Sequence, residues 1–325
     1  MTRIGYQIPN FTYPGIGPDR LFAEVARQAA AADRSGFDTV MVMDHFYQLP
    51  MLGDPAKYML ECYSLLAALS QHTNSARLGA LVTGNTYRNP ALLAKTITTL
   101  DIVSGGRAQL GIGAGWFELE HQSLGFEFGT FTDRFEKLEE SLRIVIPMLR
   151  GEKVTFSGKH YSTTEAVNSP AAVSRIPIMI GGGGEKKTLR MVAQYADESN
   201  IAGGPITDLP RKLEVLAAHC ERAGRDRSEI TMTKMMNLCV APTTEEAEAD
   251  LRAMAAVKGW NDEVIGMLKG IMVFGDPDTV GERIVAALNT GIDGITINAA
   301  ANGHVPGRVD LMGKVALKAL AEAGK

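Results

Sequence analysis

Four consecutive glycines are the strongest chemical signal in the sequence: Gly181, Gly182, Gly183 and Gly184. They follow a short apolar run at 177–180 and precede a helix-like run at 187–196. A strand that ends in a turn without side chains and continues as a helix leaves backbone N–H groups free. These groups, together with the helix dipole, favour an anion. We therefore predict a phosphate site that extends to Glu185 and Lys186, and the alternative is a flexible loop without a ligand.

The common nucleotide motifs do not match this region. A P-loop ends in Gly-Lys-Ser/Thr, whereas Gly184 is followed by Glu185 and Lys186. The second glycine-rich stretch, 111–116, has Trp116 where a dinucleotide fingerprint requires its third glycine. Neither ATP nor NAD in a Rossmann domain is favoured.

A possible proton-transfer residue follows the predicted strand 39–43, where Asp44 and His45 occur in succession. Histidine exchanges a proton near neutral pH, so His45 is a candidate acid or base. The alternative is a histidine that local hydrogen bonds hold in place.

Two further strand ends carry small or polar residues. After strand 77–82, Thr83, Gly84 and Asn85 would let a flat ligand lie against the backbone. The end of strand 108–113 carries alternate glycines, Gly111, Gly113 and Gly115, with Ala114 between the last two. These small residues leave room for a planar group, and the ring of Trp116, which follows them, could stack on it. Three ionisable residues that follow are candidates for acid or substrate contacts: Glu118, Glu120 and His121. They lack a recognised metal-ligand spacing, so no metal is predicted.

Short apolar runs alternate with longer amphipathic runs along the chain, which predicts strands and helices in turn. The predicted strands are 4–8, 39–43, 77–82, 108–113, 177–180, 198–201, 231–240 and 294–298. The predicted helices are 19–35, 58–72, 90–103, 132–149, 187–196, 209–223, 244–257 and 277–289, with Thr132 or Asp133 as the cap of the fourth. Eight strand–helix units indicate an α/β fold, a (β/α)₈ TIM barrel. We expect one domain over 1–325, with a hairpin insertion after helix four and an extra segment, 258–270, after helix seven.

Composition excludes several classes of protein. The chain has 325 residues, 45% of them hydrophobic, and a net charge of −4, so it offers no basic field for nucleic acid or a membrane surface. Its three cysteines form neither a zinc pattern nor a disulfide framework. The start, Met1-Thr2-Arg3, leads directly into a strand pattern without a signal peptide, and no apolar run is long enough to span a membrane. We expect a cytoplasmic protein that acts on a small molecule.

Taken together, these stretches resemble the luciferase-like flavin enzymes, in particular the bacterial branch that depends on the deazaflavin coenzyme F420. The matching segments are 36–40, 44–46, 83–95, 99–107, 111–116, 180–186 and 291–294. The resemblance implies a flavin ring at the strand carboxyl ends, phosphate on the 181–184 loop and a homodimer. It also implies a non-proline cis peptide beside the ring, expected at Gly84–Asn85, and a proton-handling role for His45.

The resemblance predicts an oxidoreductase that transfers a hydride between F420 and a small organic substrate. The predicted catalytic residues are His45, Trp116 and Glu118. The predicted cofactor-binding residues are Asp44, Thr83, Gly84, Asn85, Gly113, Ala114, Gly115, Gly181, Gly182, Gly183, Gly184, Glu185 and Lys186. The alternatives are a monooxygenase that uses reduced FMN and a non-catalytic flavin-binding protein.

One departure from the family bears on the substrate. In its sugar-phosphate dehydrogenases a glutamate directly follows the Gly-x-Gly of strand four, whereas here Trp116 stands at that place. Lysine and arginine are also sparse at the predicted strand ends. These features argue against a sugar phosphate and favour a flat, apolar conjugated carbonyl compound.

Overall fold

The computed structural model describes residues 3–325, so the expectation made at Met1 and Thr2 lies outside the described residues. Within that range the strands are β1 (Ile4–Ile8), β2 (Thr39–Val42), β3 (Arg77–Ala80), β4 (Thr83–Gly84), β5 (Leu110–Gly113), β6 (Val154–Ser157), β7 (Ser162–Ala166), β8 (Ile178–Gly181), β9 (Glu198–Ile201), β10 (Thr231–Val240), β11 (Val273–Gly275) and β12 (Gly294–Asn298). The α-helices are α1 (Pro18–Arg34), α2 (Cys62–Leu69), α3 (Pro90–Val103), α4 (Glu118–Leu124), α5 (Phe131–Leu149), α6 (Thr188–Tyr195), α7 (Leu209–Ala223), α8 (Thr244–Lys258), α9 (Asp262–Ile271), α10 (Pro277–Leu288) and α11 (Arg308–Glu322).

The main sheet is parallel and curls into a ring. Its strand order is β3-β2-β1-β12-β10-β9-β8-β5-β4, and β11 pairs with the end of β10. The two ends of this order meet at Leu78, whose N–H donates to Arg107 O over 2.8 Å and whose carbonyl accepts from Gln109 N over 2.9 Å. The predicted (β/α)₈ barrel is therefore confirmed, with the strand carboxyl ends together at one mouth.

Local sequence explains why these segments form a barrel. Strands β1 and β12 are buried at every position, as expected for parallel strands with helices outside and packed side chains within. Helix α1 buries one apolar stripe that includes Leu21, Val25 and Ala29, and Gly36 follows its end with a φ of 84°. Among residues 3–325, no helix is long and apolar enough to cross a membrane.

The structure also refines the expected insertions and helices. The hairpin after helix α5 is present as the antiparallel pair β6 and β7. Predicted helix seven is α8, and the expected segment after it, 258–270, contains most of α9 and leads into β11 before α10. Helices α8 and α9 share a small apolar cluster with the end of β10. Helices α4, α9 and α11 were not predicted. Helix α5 begins at Phe131 because Thr130, rather than Thr132 or Asp133, is its cap and forms a capping box with Asp133.

The non-proline cis peptide is Leu81–Val82, so the expected position at Gly84–Asn85 was wrong. Gln7 Nε2, on β1 two strands away in the ring, donates to the Leu81 carbonyl over 3.0 Å. The Val82 side chain packs against Gly113 and Gly181, where an added Cβ would lie 2.8 Å from its methyl groups. Gly113 and Gly181, which the sequence assigned to ligand binding, thus also make room for the Val82 side chain.

Candidate active site

A histidine and a buried glutamate meet at the barrel mouth. His45 follows β2, and its Nδ1 lies 2.9 Å from Oε2 of Glu120, which comes from the buried side of α4. Oε1 of the same carboxylate accepts backbone N–H bonds from Phe46 and Tyr47, and Oε2 also accepts the Tyr87 hydroxyl. Glu120 therefore joins the loop after β2 to the chain that follows β5.

These bonds keep Glu120 ionised. Burial alone would raise the pKa of Glu120, but hydrogen bonds from His45, Tyr87 and the Tyr47 N–H outweigh burial and lower that pKa below its ordinary value. An ionised carboxylate accepts a proton-bearing Nδ1 from His45. In the neutral imidazole, Nε2 is then the atom that can accept a proton.

The imidazole of His45 is accessible at its other edge. Its side chain is 13% exposed, and no hydrogen bond to Nε2 is found within residues 3–325. Two aromatic rings meet it edge to face, Trp116 at 5.7 Å and Phe117 at 5.9 Å between centroids. The Trp116 side chain is 59% exposed, so it forms an open wall beside His45.

The other acidic and histidine candidates lie on helix α4 and differ in whether they are exposed or buried. Glu118 lies on its exposed side and accepts a hydrogen bond from Gln122 over 3.1 Å. His121 is buried, with Nε2 2.7 Å from the Thr86 hydroxyl and Nδ1 2.8 Å from Phe117 O. Burial lowers the pKa of His121, although the bond to Phe117 O acts in the opposite direction. The structure brings Glu120, rather than Glu118, to His45.

Asp44 is engaged within the protein. Its carboxylate forms a bidentate pair with Arg88 at 2.7 and 3.0 Å and accepts the Gly84 N–H over 3.1 Å. Burial raises the pKa of Asp44, while Arg88 and the Gly84 N–H oppose that rise. This pair joins the end of β2 to the loop that begins α3, and it thereby orients the segment around His45.

Thr83, Gly84 and Asn85 are all buried, and one polar atom among them lacks a partner in the described chain. The Thr83 hydroxyl bonds Tyr63, and a Cβ added at Gly84 would clash with the Tyr87 ring at 2.6 Å. Asn85 donates from its backbone and its side chain to Gly113 O, while its Oδ1 has no hydrogen-bond partner in the described chain. Asn85 Oδ1 is therefore available to a ligand donor.

The glycines at the end of β5 allow the chain that follows β3 to pack closely against this strand. A Cβ added at Gly111 would overlap the carbonyl oxygen of Ala80, and one at Gly113 would meet Val82. Gly115 adopts a left-handed φ of 77° that turns the chain towards Trp116, while Ala114 is half-buried. These residues shape the mouth beside His45.

The four-glycine loop has the features of an anion site. Gly182 adopts a φ of 119°, and the N-terminus of α6 has no side-chain cap. Its first N–H groups thus add to the positive end of the helix dipole. The Lys186 side chain is exposed at this loop, and Glu185 pairs with Arg211 at 2.7 Å.

Sequence reasoning missed two lysines in this region. Lys212 from α7 contacts the four-glycine loop and donates to Gly183 O over 2.7 Å. Lys234, buried on β10, donates to Ala202 O in the loop after β9 over 2.8 Å, and burial together with repulsion from Lys212 lowers its pKa to about 8. No local motif marks either lysine, because each contacts its loop from an element distant in sequence.

Metal-capable side chains meet at one half-buried place in the described chain. Asp133, Glu136 and His160 bring their ligand atoms within 4.8 Å of one another. The Lys159 ammonium pairs with both carboxylates and offsets part of their negative charge.

The fold and site define a (β/α)₈ barrel with a carboxylate–histidine pair and a glycine-rich loop at the strand carboxyl ends. A family model for luciferase-like monooxygenases matches residues 2–294, and the chain belongs to this family. The similarity expected from the sequence is thereby confirmed.

Individual relatives share most of the chain. It is 31% identical over 238 residues to an F420-dependent glucose-6-phosphate dehydrogenase of Nakamurella multipartita, covering 72% of this chain and 69% of that one. It is 29% identical to a 5,10-methylenetetrahydromethanopterin reductase of Methanolobus tindarius, covering 80% and 70% respectively. Among solved structures, an F420-dependent secondary alcohol dehydrogenase bound to an F420-acetone adduct shares the fold, with a TM-score of 0.80 and 19% identity over 97% of this chain and 98% of that one.

Proposed function

We propose that this protein is a coenzyme F420-dependent oxidoreductase that transfers a hydride between the deazaflavin and a small alcohol or carbonyl compound. The observation that carries the proposal is the His45–Glu120 pair, which stands at the same barrel mouth as the glycine loop. F420-dependent enzymes among its relatives support the choice of cofactor.

The residues present fit such a cofactor. The uncapped N-terminus of α6 and Lys212 supply donors for its phosphate, with Gly181, Gly182, Gly183 and Gly184 allowing close approach. The unpartnered Oδ1 of Asn85 can accept a hydrogen bond from a flat polar ring. When bound, the deazaflavin supplies the carbon that accepts or donates the hydride.

His45 then accepts or donates the proton that accompanies the hydride. In alcohol oxidation, Nε2 of His45 takes the hydroxyl proton while the C–H hydride leaves, so a carbonyl forms and charge balances. In carbonyl reduction, the imidazolium returns that proton to the oxygen. Glu120 stabilises the imidazolium and fixes the ring orientation, and Trp116 shields one side of the substrate.

A titration with two cofactors tests the proposal. Purified protein is titrated with F420 and, separately, with FMN, and cofactor fluorescence is followed. We expect F420 to bind at least tenfold more tightly. Tight FMN binding with oxygen-dependent turnover would favour a monooxygenase instead, and binding without turnover across an alcohol and carbonyl panel would favour a non-catalytic flavin protein.

We further propose that the enzyme is a homodimer and acts in the cytoplasm. Sedimentation velocity measures the first property, and fractionation of the source cells measures the second. A monomer at micromolar concentration would contradict the first.

A further inference from the structure

Two buried nitrogen donors near the barrel mouth have no acceptor. Lys258, the last residue of α8, is 5% exposed, and its Nζ has no hydrogen-bond partner within residues 3–325. Gln48, on the loop after β2, is 0% exposed, and its Nε2 also lacks a partner. Its Oε1 accepts the Leu49 N–H over 2.8 Å, which fixes the amide orientation with Nε2 as the open donor.

The aliphatic parts of Lys258, Gln48 and a third side chain, Lys57, pass close to Gly53. A Cβ placed on Gly53 would lie 3.2 Å from Cδ of Lys258, 3.5 Å from Cγ of Lys57 and 3.9 Å from Cγ of Gln48. Lys57 donates to Val257 O over 3.1 Å, so its ammonium lies at the end of α8 beside Lys258. Burial, followed by repulsion from Lys57, lowers the pKa of Lys258 to about 8.

Such an arrangement is unfavourable unless an acceptor arrives. A buried ammonium and a buried amide N–H without partners each destabilise the folded protein. The nearest acidic side chain on the loop, Asp54, accepts the Ala56 N–H over 2.8 Å and closes its own turn. Because every open group is a donor and two of the three side chains are cations, the complementary ligand is an oxyanion.

The position of this cluster relates it to the reaction site. Gln48 and Lys57 lie on the loop that carries His45, and Phe46 and Tyr47 of that loop donate to Glu120. A depression of about 640 Å³ runs along this loop, with Phe46, Tyr47 and Lys57 in its lining. Gln48 and Lys258 are buried and do not line it. A molecule in this depression would contact Lys57 and the loop whose backbone N–H groups bind Glu120.

We propose that Lys258, Gln48 and Lys57 bind an anionic group, a carboxylate or a phosphate, of the substrate. This inference rests on the proposed function and deepens it, because it changes the expected substrate from an apolar carbonyl compound to one that also carries an anion. The cofactor phosphate is assigned to the loop after β8, which lies well apart from β2 around the ring. The two anion sites are therefore distinct.

Anion binding to the protein without cofactor tests the site directly. Inorganic phosphate and acetate are titrated by calorimetry into the parent protein, Lys258→Met and the control Lys314→Met, which changes an exposed lysine on α11. We expect Lys258→Met to weaken binding of the preferred anion at least tenfold, the loss typical of a charged hydrogen bond, while the control matches the parent. The stronger of the two anions identifies the substrate group.

Thermal unfolding supplies a second readout. Without anion, Lys258→Met should melt above the parent, because it removes a buried unpaired charge. A lower melting temperature for Lys258→Met, with equal anion binding in parent and variant, would overturn the site. If Lys258→Met does not fold, Gln48→Met is measured in its place. We expect Gln48→Met to lose anion binding to the same extent. Unchanged anion binding by Gln48→Met would contradict the proposal.

F420 titrations separate this inference from the proposed function. The parent and Lys258→Met should bind F420 equally, since its phosphate is assigned elsewhere. A parent that binds F420 but neither anion would overturn the inference alone, and a parent that does not bind F420 would overturn the proposed function. Weaker F420 binding by Lys258→Met would assign the anion to the cofactor and contradict the substrate site.

Discussion

At the scale of single residues, His45 is the group on which the proposed chemistry depends. Replacing His45 with alanine removes Nε2 as proton acceptor but leaves the glycine loop untouched. We expect kcat to fall by about 10² or more, the loss typical of an acid–base group, with the Kd for F420 nearly unchanged. Steady-state kinetics and fluorescence titration measure the two quantities. If His45→Ala has the kcat of the parent protein, the role of His45 is structural.

Glu120 acts through His45 and is therefore a positioning residue. In Glu120→Gln, the new amide cannot satisfy the Phe46 and Tyr47 N–H groups and His45 with one orientation, because only one of its atoms accepts. We expect kcat to fall by about tenfold or more, with a changed pH profile of kcat and unaltered F420 binding. Glu118→Gln, on the exposed side of α4, is the matched control and should behave as the parent. An effect at Glu118 with none at Glu120 would contradict this assignment.

Single residues were predictable from the sequence only where a motif marked them. His45 became a candidate from its position after a strand and was favoured through the family resemblance, and its catalytic role stays a prediction. Glu118 was predicted to be catalytic, because without a predicted helix in this segment nothing indicated which of Glu118, Glu120 and His121 faces the mouth. Phe117, Glu120 and His121 lie on one face of α4 and are buried, so recognising this helix would have placed Glu120 inward. Lys258 meets Gln48 only through the fold, so no local pattern could join them.

At the scale of elements, the unit formed by β8, the glycine loop and α6 should carry the cofactor phosphate. An added Cβ at Gly183 would lie 3.3 Å from Nζ of Lys212, so Gly183→Asp places a carboxylate beside the cation assigned to the phosphate. We expect the Kd for F420 to rise at least tenfold. Gly270→Asp, on α9 where an added Cβ meets nothing within 4 Å, is the control. Unchanged F420 binding by Gly183→Asp would remove the phosphate from this loop.

At the end of the barrel opposite the mouth, the Asp33 carboxylate joins the end of α1 to the start of β3. Asp33 accepts the N–H groups of Asn74, Ser75 and Ala76, just before β3 begins. Burial would raise the pKa of Asp33, but these bonds prevail and lower it to about 2.

This lowered pKa gives a defined pH dependence of stability. Because the folded pKa lies below the unfolded value of about 4, Asp33 stabilises the fold above pH 4, and this contribution disappears as pH falls from about 4 to about 2. Asp33→Asn should therefore lower the free energy of unfolding by about 1–2 kcal/mol at pH 7. Urea titrations at pH 7 and near pH 3 should show the gap to the parent narrowing in acid. A gap that is constant with pH would contradict the assignment.

At the scale of the whole molecule, periodicity predicted the barrel but not how its ring closes. Apolar strands and amphipathic helices give eight repeats, and the strands were predicted at nearly the right residues. Helix α11 was missed although Val309, Met312, Ala316 and Leu320 recur at helical spacing on its buried face. The closure between β3 and β5 depends on backbone contacts across the chain, which side-chain patterns do not encode.

Gly111 tests that closure. It lies on β5 where the end of β3 approaches most closely, and an added Cβ would overlap the Ala80 carbonyl oxygen and lie 3.4 Å from Val82. Gly111→Ala must therefore force the strands apart at the point where the ring closes. We expect the free energy of unfolding to fall by about 1–3 kcal/mol, as for an overpacked core.

The control Gly266→Ala adds its Cβ in open space within α9 and should be neutral or slightly stabilising. Chemical denaturation of both variants measures the difference. Equal stability of Gly111→Ala and the parent would mean that the β3–β5 closure is loose enough to admit a methyl group. The position of Val82 beside Gly113 and Gly181 would then have to be determined by other contacts.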